Sequence, residues 1–219
     1  MPKKSKSDEE VADFRARVCE VATRLFVERG PKNVSMRQIA AELRVSAMTP
    51  YRYFSGRDEI LATVRAAAFN KFSATLERAS KRGTDAQTRA KSVSDAYVRF
   101  AKRFPSTYQL MFAFIQPDEE LYPDLARANA RARRTMEDYI QALVDEGVIS
   151  GDVHVIGYMF WAVMHGIVTL DQAGALTGDI NSTTLRHVTF STLLAGISAI
   201  PPLSDAKRRD ATRTSEVSA

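Results

Sequence analysis

One cysteine in 219 residues leaves no internal disulfide to staple the fold, so the chain must hold itself together by burying apolar surface. That cysteine, Cys19, lies beside Val18 and Val21 in an amphipathic helical pattern, the setting of a half-buried thiol more than of a redox or ligand-binding one. Histidine is scarce too. His154, His165 and His187 are spaced too widely to make a metal cluster, so no metal and no cofactor are expected. There is no Gly-x-Ser-x-Gly elbow, no phosphate loop and no acid–base constellation in a supporting pattern, which argues against an enzyme. Runs of alternating β-branched residues are missing, as are internal repeats. The opening Met1 to Asp8 is basic but has no apolar segment of the kind a secretory signal needs. The longest uncharged apolar stretch, Val155 to Leu170, has 16 residues and contains His165, short of the roughly 20 that cross a bilayer. A cytoplasmic protein with no membrane partner is therefore expected.

What the chain does contain is helix-forming apolar periodicity, with 45% hydrophobic residues spread from Val11 to Ile200. Its formal charge is +5, and the stretch from Met1 to Arg57 alone holds twelve Lys/Arg against seven Asp/Glu. The whole surplus thus falls in the first quarter, and local cationic density is what attracts DNA phosphates. An all-α architecture follows, an N-terminal helix-turn-helix of three helices leading into a helical body. The expected divisions are a flexible basic arm over 1–9, a DNA-binding module over 10–56, a ligand-binding and dimerisation domain over 57–200, and a disordered polar tail over 201–219. The arm is equally readable as DNA-reaching or as a disordered remnant.

Val11, Phe14, Val18, Ala22, Leu25 and Phe26 share one face of a first helix that Gly30-Pro31 ends. Ser35 and Gln38 have capping-box spacing for a second helix, buried through Ile39, Ala40 and Leu43. After a short link at Arg44 and Val45, Ser46 offers another cap, and Ala47 to Tyr53 is expected as a two-turn helix. Pro50 lacks an N–H there, so its first turn should be distorted or 3₁₀-like. Later helices are expected from Asp58 to Leu76, Ala86 to Phe104, Thr107 to Ile115, Leu125 to Glu146, Asp152 to Asp171 and Thr183 to Ile200.

Two short helices joined this tightly cross steeply, as in a helix-turn-helix. Its second helix must show its first turns to base edges. Thr49 and Ala47 are placed nearest the bases, and Ser46 faces outward with them. Lys32, Arg37 and Tyr51 are assigned to phosphates, and Arg52 to either task. Ser35-Met36-Arg37 opens a helix where backbone N–H groups suit a phosphate oxygen.

The segment Gly30 to Leu61 resembles the DNA-binding module of the TetR family. The resemblance rests on Ile39-Ala40, Val45-Ser46, Tyr51-x-Tyr53-Phe54 and Arg57-Asp58-x-x-Leu61 in one ordered array. It implies that the helix after Val45-Ser46 enters the major groove, that Tyr51 touches the DNA backbone and that Arg57 lies near phosphate. It further implies a homodimer on a palindromic operator, usually a repressor released by ligand. Leu43 and Arg44 depart from the small residue and glycine usual there, and Pro50 from an apolar residue. Phe160-Trp161-Ala162-Val163-Met164-His165-Gly166 resembles a Trp-His-Gly C-terminal subgroup of the same family.

Tyr97, Phe100, Phe104, Tyr108, Met111, Phe112, Met159, Trp161, Met164 and His165 are aromatic or pliable side chains suited either to filling a core or to lining an uncharged pocket. As pocket residues they favour a small, largely apolar effector; His165 reads as a hydrogen-bonding or packing residue more than as a ligand contact, and least as a metal ligand. Leu185, Val188, Leu193 and Ile197 mark a broad apolar face on the last helix, expected to pair with a second copy or to be buried within one subunit. A regulator of operator DNA is the resulting expectation, a repressor with an apolar effector or, alternatively, an activator or protein-binding factor on the same module.

Overall fold

The computed structural model describes residues 7–112 and 119–197, which form helices and connecting turns with no strand among the described residues. The expected tail over 201–219 and most of the basic arm lie outside them.

Helix α1 spans Asp8–Arg29. Ser7 Oγ accepts from the Glu10 N–H at 3.2 Å while Glu10 Oε2 accepts from the Ser7 N–H at 3.0 Å, so two donors left over at the helix start are satisfied reciprocally. Asp8, Glu9 and Glu10 also place negative charge at the positive end of the helix dipole. The arm expected over 1–9 is corrected accordingly: residues 8 and 9 are helical, because Ser7 starts the helix there. Gly30, at φ 77°, takes the chain out of α1 through a conformation that a side chain would strain. Pro31–Asn33 then makes one 3₁₀ turn.

Helix α2, Met36–Glu42, starts on the Ser35–Gln38 capping box that the sequence spacing predicts. The remaining helices are α3 (Arg57–Ser80), α4 (Ala86–Arg103), α5 (Pro105–Met111), α6 (Pro123–Asp145), α7 (Val153–Gln172) and α8 (Ser182–Gly196). Proline opens α5 and α6, where its missing N–H costs nothing; α6 accordingly begins two residues before the expected Leu125. Asp152 caps α7 by accepting from the His154 and Val155 N–H groups at 2.9 and 3.1 Å. Asn181 caps α8 by accepting from Thr183 and Thr184 at 3.1 and 2.9 Å.

The described residues form two compact units, one from 7–73 with 103–112 and 119–132 and the other from 74–102 with 133–197. The division does not follow chain order, and α3 and α6 contribute residues to both.

In the first unit the three- and four-residue spacing of Phe14, Val18, Ala22, Leu25 and Phe26 turns one face of α1 onto Ile39 and Leu43, Phe54, Ile60 and Val64, and Leu110 of α5. Arg65 is fully buried, and its guanidinium donates to the Met111 carbonyl at the end of α5, where a cation meets the negative end of a helix. The second unit buries Val93, Ala96, Tyr97 and Phe100 of α4, Met136, Tyr139 and Ile140 of α6, and Ile156, Phe160, Met164 and Ile167 of α7. Burial raises the Tyr139 phenol well above its ordinary value, with Tyr97 adding to the effect. By length and composition α7 could cross a membrane, and a third of its apolar window is buried.

Leu25→Ala, made at a fully buried position, should cost about 2–5 kcal/mol, and Ser35→Ala about 1 kcal/mol through loss of the cap, both read from urea denaturation.

Candidate nucleic-acid interface

The connection from α2 to α3 begins at Leu43 and turns on Arg44, which has φ 55°. That left-handed residue lets the Arg44 N–H reach the Ala41 carbonyl and the Val45 N–H reach the Ala40 carbonyl, both at 3.0 Å. Two end carbonyls of α2 are thereby satisfied. The conformation is one glycine adopts freely, which explains why a glycine is usual at this place in the resembling family.

The two-turn helix expected over Ala47 to Tyr53 is corrected. Residues 47–49 form a turn, and Pro50–Arg52 makes a single 3₁₀ turn. Thr49 donates to the Ser46 carbonyl at 2.9 Å, Arg52 to Thr49 at 3.2 Å and Tyr53 to Pro50 at 3.0 Å. Pro50 has no N–H to give the Ser46 carbonyl, so the tighter pattern takes over from Ser46 to Arg52, and the i to i−4 spacing is met only where the Phe54 N–H reaches the Pro50 carbonyl at 3.1 Å. Ser46 is not a side-chain cap either, since its hydroxyl pairs with the Thr49 hydroxyl at 2.8 Å.

This segment is held from below. The Arg15 guanidinium donates to the Tyr53 carbonyl, pairs with Glu59 at 3.2 Å and lies 3.9 Å from the centroid of the Phe54 ring. Phe14 packs on Tyr53 with ring centroids 4.4 Å apart. Glu59 in turn accepts from the Ser55 N–H at 2.7 Å and the Ser55 hydroxyl at 2.9 Å. Burial alone would raise the Glu59 carboxyl, but the Ser55 hydrogen bonds and Arg15 outweigh it and hold the group below the usual carboxylate range.

Above that clamp, Lys32, Arg37, Ser46, Ala47, Tyr51 and Arg52 are exposed, while Thr49 is half-buried. Ser35 is exposed but engaged, its hydroxyl and N–H both bonded to Gln38. Arg57 is half-buried, bound to Asp58 at 2.9 Å and to the Lys32 carbonyl at 3.3 Å, so it ties the turn before α2 to the start of α3. The sequence reading missed three residues. Met48 is 68% exposed between Ala47 and Thr49. Arg44 is exposed on its strained backbone. Arg15 lies 38 residues before the carbonyl it holds, a separation no local pattern reveals; for Met48, lying inside the reading segment was the available signal.

Comparison with known proteins matches the sequence to family models. Residues 18–64 match the model of bacterial regulatory proteins of the tetR family, and residues 90–193 match a tetracyclin repressor-like C-terminal domain. An HTH-type transcriptional repressor of Mycobacterium tuberculosis is 33% identical over 135 residues, 57% of this chain and 70% of that protein. The chain belongs to the TetR family. A second regulator from Mycobacterium tuberculosis is 26% identical over 149 residues, 65% of this chain, and the match spans 60% of that relative's length. A structure of a protein from Rhodococcus sp. RHA1 shares the fold, with TM-score 0.71 and 23% identity over 90% of this chain and 99% of that one.

In this TetR-family chain the ten aromatic and pliable residues are divided. Phe104, Tyr108, Met111 and Phe112 belong to the first unit, with Tyr108 and Phe112 in ring contact at 4.9 Å and Phe112 edge-on to Phe69 at 5.9 Å. Tyr97, Phe100, Met159, Trp161, Met164 and His165 belong to the second. Tyr97, Phe100 and Met164 are buried there, and the Ser94 hydroxyl approaches the Met164 sulfur at 3.6 Å. His165 is half-buried, and desolvation lowers its pKa. A recess bordered by Arg133, His154, Tyr158 and Trp161 has a volume near 10 Å³, room for no more than a water. On α8, Val188 is 56% exposed and Leu185 and Leu193 are half-buried. Ile197 is 1% exposed, so its side chain is covered within its own chain, and the apolar face expected to meet a partner narrows to the other three.

Because the folded-state pKa of Glu59 lies below the unfolded one, its contribution is complete above the ordinary glutamate range and is lost as pH falls through the lowered value. Glu59→Gln should flatten the acid limb of stability in urea titrations between about pH 3 and 7, and Arg15→Met should cost about 1.5–3 kcal/mol at neutral pH.

Proposed function

We propose that this protein is a cytoplasmic, homodimeric transcriptional repressor that reads a palindromic operator and changes its grip when a small, largely apolar effector binds. The observation that carries the reading is the turn from Ser46 to Arg52, which exposes Ser46, Ala47, Met48, Tyr51 and Arg52 and is followed by Tyr53, whose carbonyl Arg15 holds, in a module that also exposes Lys32, Arg37 and Arg44. An element anchored to the core that exposes side chains in a cationic module suits groove entry, since phosphate contacts position the reader and exposed side chains read bases. Ala47 and Met48 offer methyl-sized apolar contact to thymine, and Thr49 offers a hydroxyl to a base edge. Lys32, Arg37, Tyr51 and Arg52 hold phosphates, with Ser35 and Arg57 setting the turn that carries Lys32. The family membership and the repressor relative support this assignment.

The exposed Val188, with Leu185 and Leu193 beside it, forms the face that meets a second copy, giving two readers on one operator. Buried aromatics of α4 and α7 supply the apolar surroundings for an effector, with His165 as the polar handle.

Operator sequences selected from genomic fragments by the purified protein test the reading. Met48→Ala with Thr49→Ala should relax base preference, whereas Arg37→Ala should weaken every sequence alike and lower the salt slope by about 1. Absence of any selective binding would remove the proposal. Arg44→Gly should separate stability from function: it relieves left-handed strain, raising stability by up to about 1 kcal/mol, while weakening DNA binding through loss of a cation.

A further inference from the structure

The first unit contains a cleft that none of the ten aromatic and pliable residues borders. Its walls come from three helices: Cys19, Glu20 and Thr23 of α1, Ala67 and Lys71 of α3, and Thr107 of α5, with further aliphatic carbon behind them. All three helices supply these residues within the same compact unit. The cleft has a volume of about 210 Å³, and a cavity of roughly 150 Å³ takes up benzene. One ring with a small substituent therefore fits, and a drug-sized molecule does not.

The lining chemistry narrows the occupant further. Burial raises the Cys19 thiol to about 11, so at neutral pH it presents an uncharged sulfur. Glu20 and Lys71 carry opposite charges, so the cleft has no net charge to select an ion, and the Lys71 ammonium already lies 3.5 Å from the centre of the Phe104 ring. The Thr23 hydroxyl donates to the Cys19 carbonyl at 2.7 Å and retains acceptor capacity, and Thr107 adds a second hydroxyl. Mostly carbon walls with two hydroxyls suit a ring that bears one neutral hydrogen-bonding group.

We propose that this cleft binds a compact, uncharged, single-ring molecule of the phenol class. Cys19 lies one helical turn from Arg15, so an occupant bears on the stretch of α1 that holds the reading turn. That consequence rests on the DNA-binding reading; occupancy of the cleft does not.

Cys19 is the chain's one cysteine and reports occupancy directly. In the full chain, alkylation of Cys19 by N-ethylmaleimide, followed by mass spectrometry, should slow about tenfold when 4-methylphenol is present at ten times its Kd, by simple mass action. Equal concentrations of 4-methylbenzoate should leave the rate unchanged. Ala67→Leu, an exposed helix position where leucine is a good helix former, should fill the cleft and abolish 4-methylphenol binding seen by ligand-observed NMR. An unchanged alkylation rate up to the solubility limit of 4-methylphenol, or equal NMR binding to the Ala67→Leu chain, overturns the proposal. No DNA enters either assay, so loss of the operator reading would leave both results standing.

Discussion

The Arg15 guanidinium touches three things at once: the Tyr53 carbonyl, the Glu59 carboxylate and the face of the Phe54 ring. A turn this short, with one 3₁₀ bend, has little order of its own even though Thr49, Arg52, Tyr53 and Phe54 donate within it. What keeps it in one shape is the charge beneath it and the core through which Phe14, Phe54 and Ile60 pack. The anchoring charge is in turn neutralised by Glu59, which Ser55 holds by two hydrogen bonds. The backbone from Tyr53 to Ser55 is thus fixed by an arginine on one helix and a carboxylate on another.

Of the three departures from the resembling family's pattern, Arg44 and Pro50 bear on the backbone of this segment. Arg44 occupies a backbone conformation that costs a side chain roughly 1–2 kcal/mol, and Pro50 removes the hydrogen bond from which an α-helix would start. Strain of this kind persists where the surroundings over-determine it, and here they do: Ala40 and Ala41 capture the N–H groups on either side of the Arg44 bend. A cation thus stands where glycine would contribute nothing but flexibility. The shortened helix and the charged corner leave the capping of α2 and the core beneath it intact.

Much of this architecture was legible without coordinates. Helix starts at Ser35 and Asp152 and the stop at Gly30 follow from local chemistry, in which a side-chain oxygen or a missing Cβ acts within four residues. The buried face of α1 follows from spacing alone. Less was legible in the site. Pro50 announces a distorted turn, but whether helix survives beyond it depends on how the Tyr53 and Phe54 backbone is held from α1. Burial of Ile197 was equally hidden, since an apolar position on a helix says that it will be covered and not by which chain.

Residue spacing, capping chemistry and the placement of positive charge therefore determined by themselves that this is an all-helical protein with a cationic helix-turn-helix near its start, because those effects act within a turn or two of the chain. Tertiary structure alone decided that Arg15 secures the reading turn, that Phe104 to Phe112 pack with α1 and the start of α3 in one unit while Tyr97 and Met164 pack in another, and that a cleft opens beside Cys19. Each of these depends on the approach of segments dozens of residues apart, and such approach is set by how whole faces pack, which no local pattern encodes.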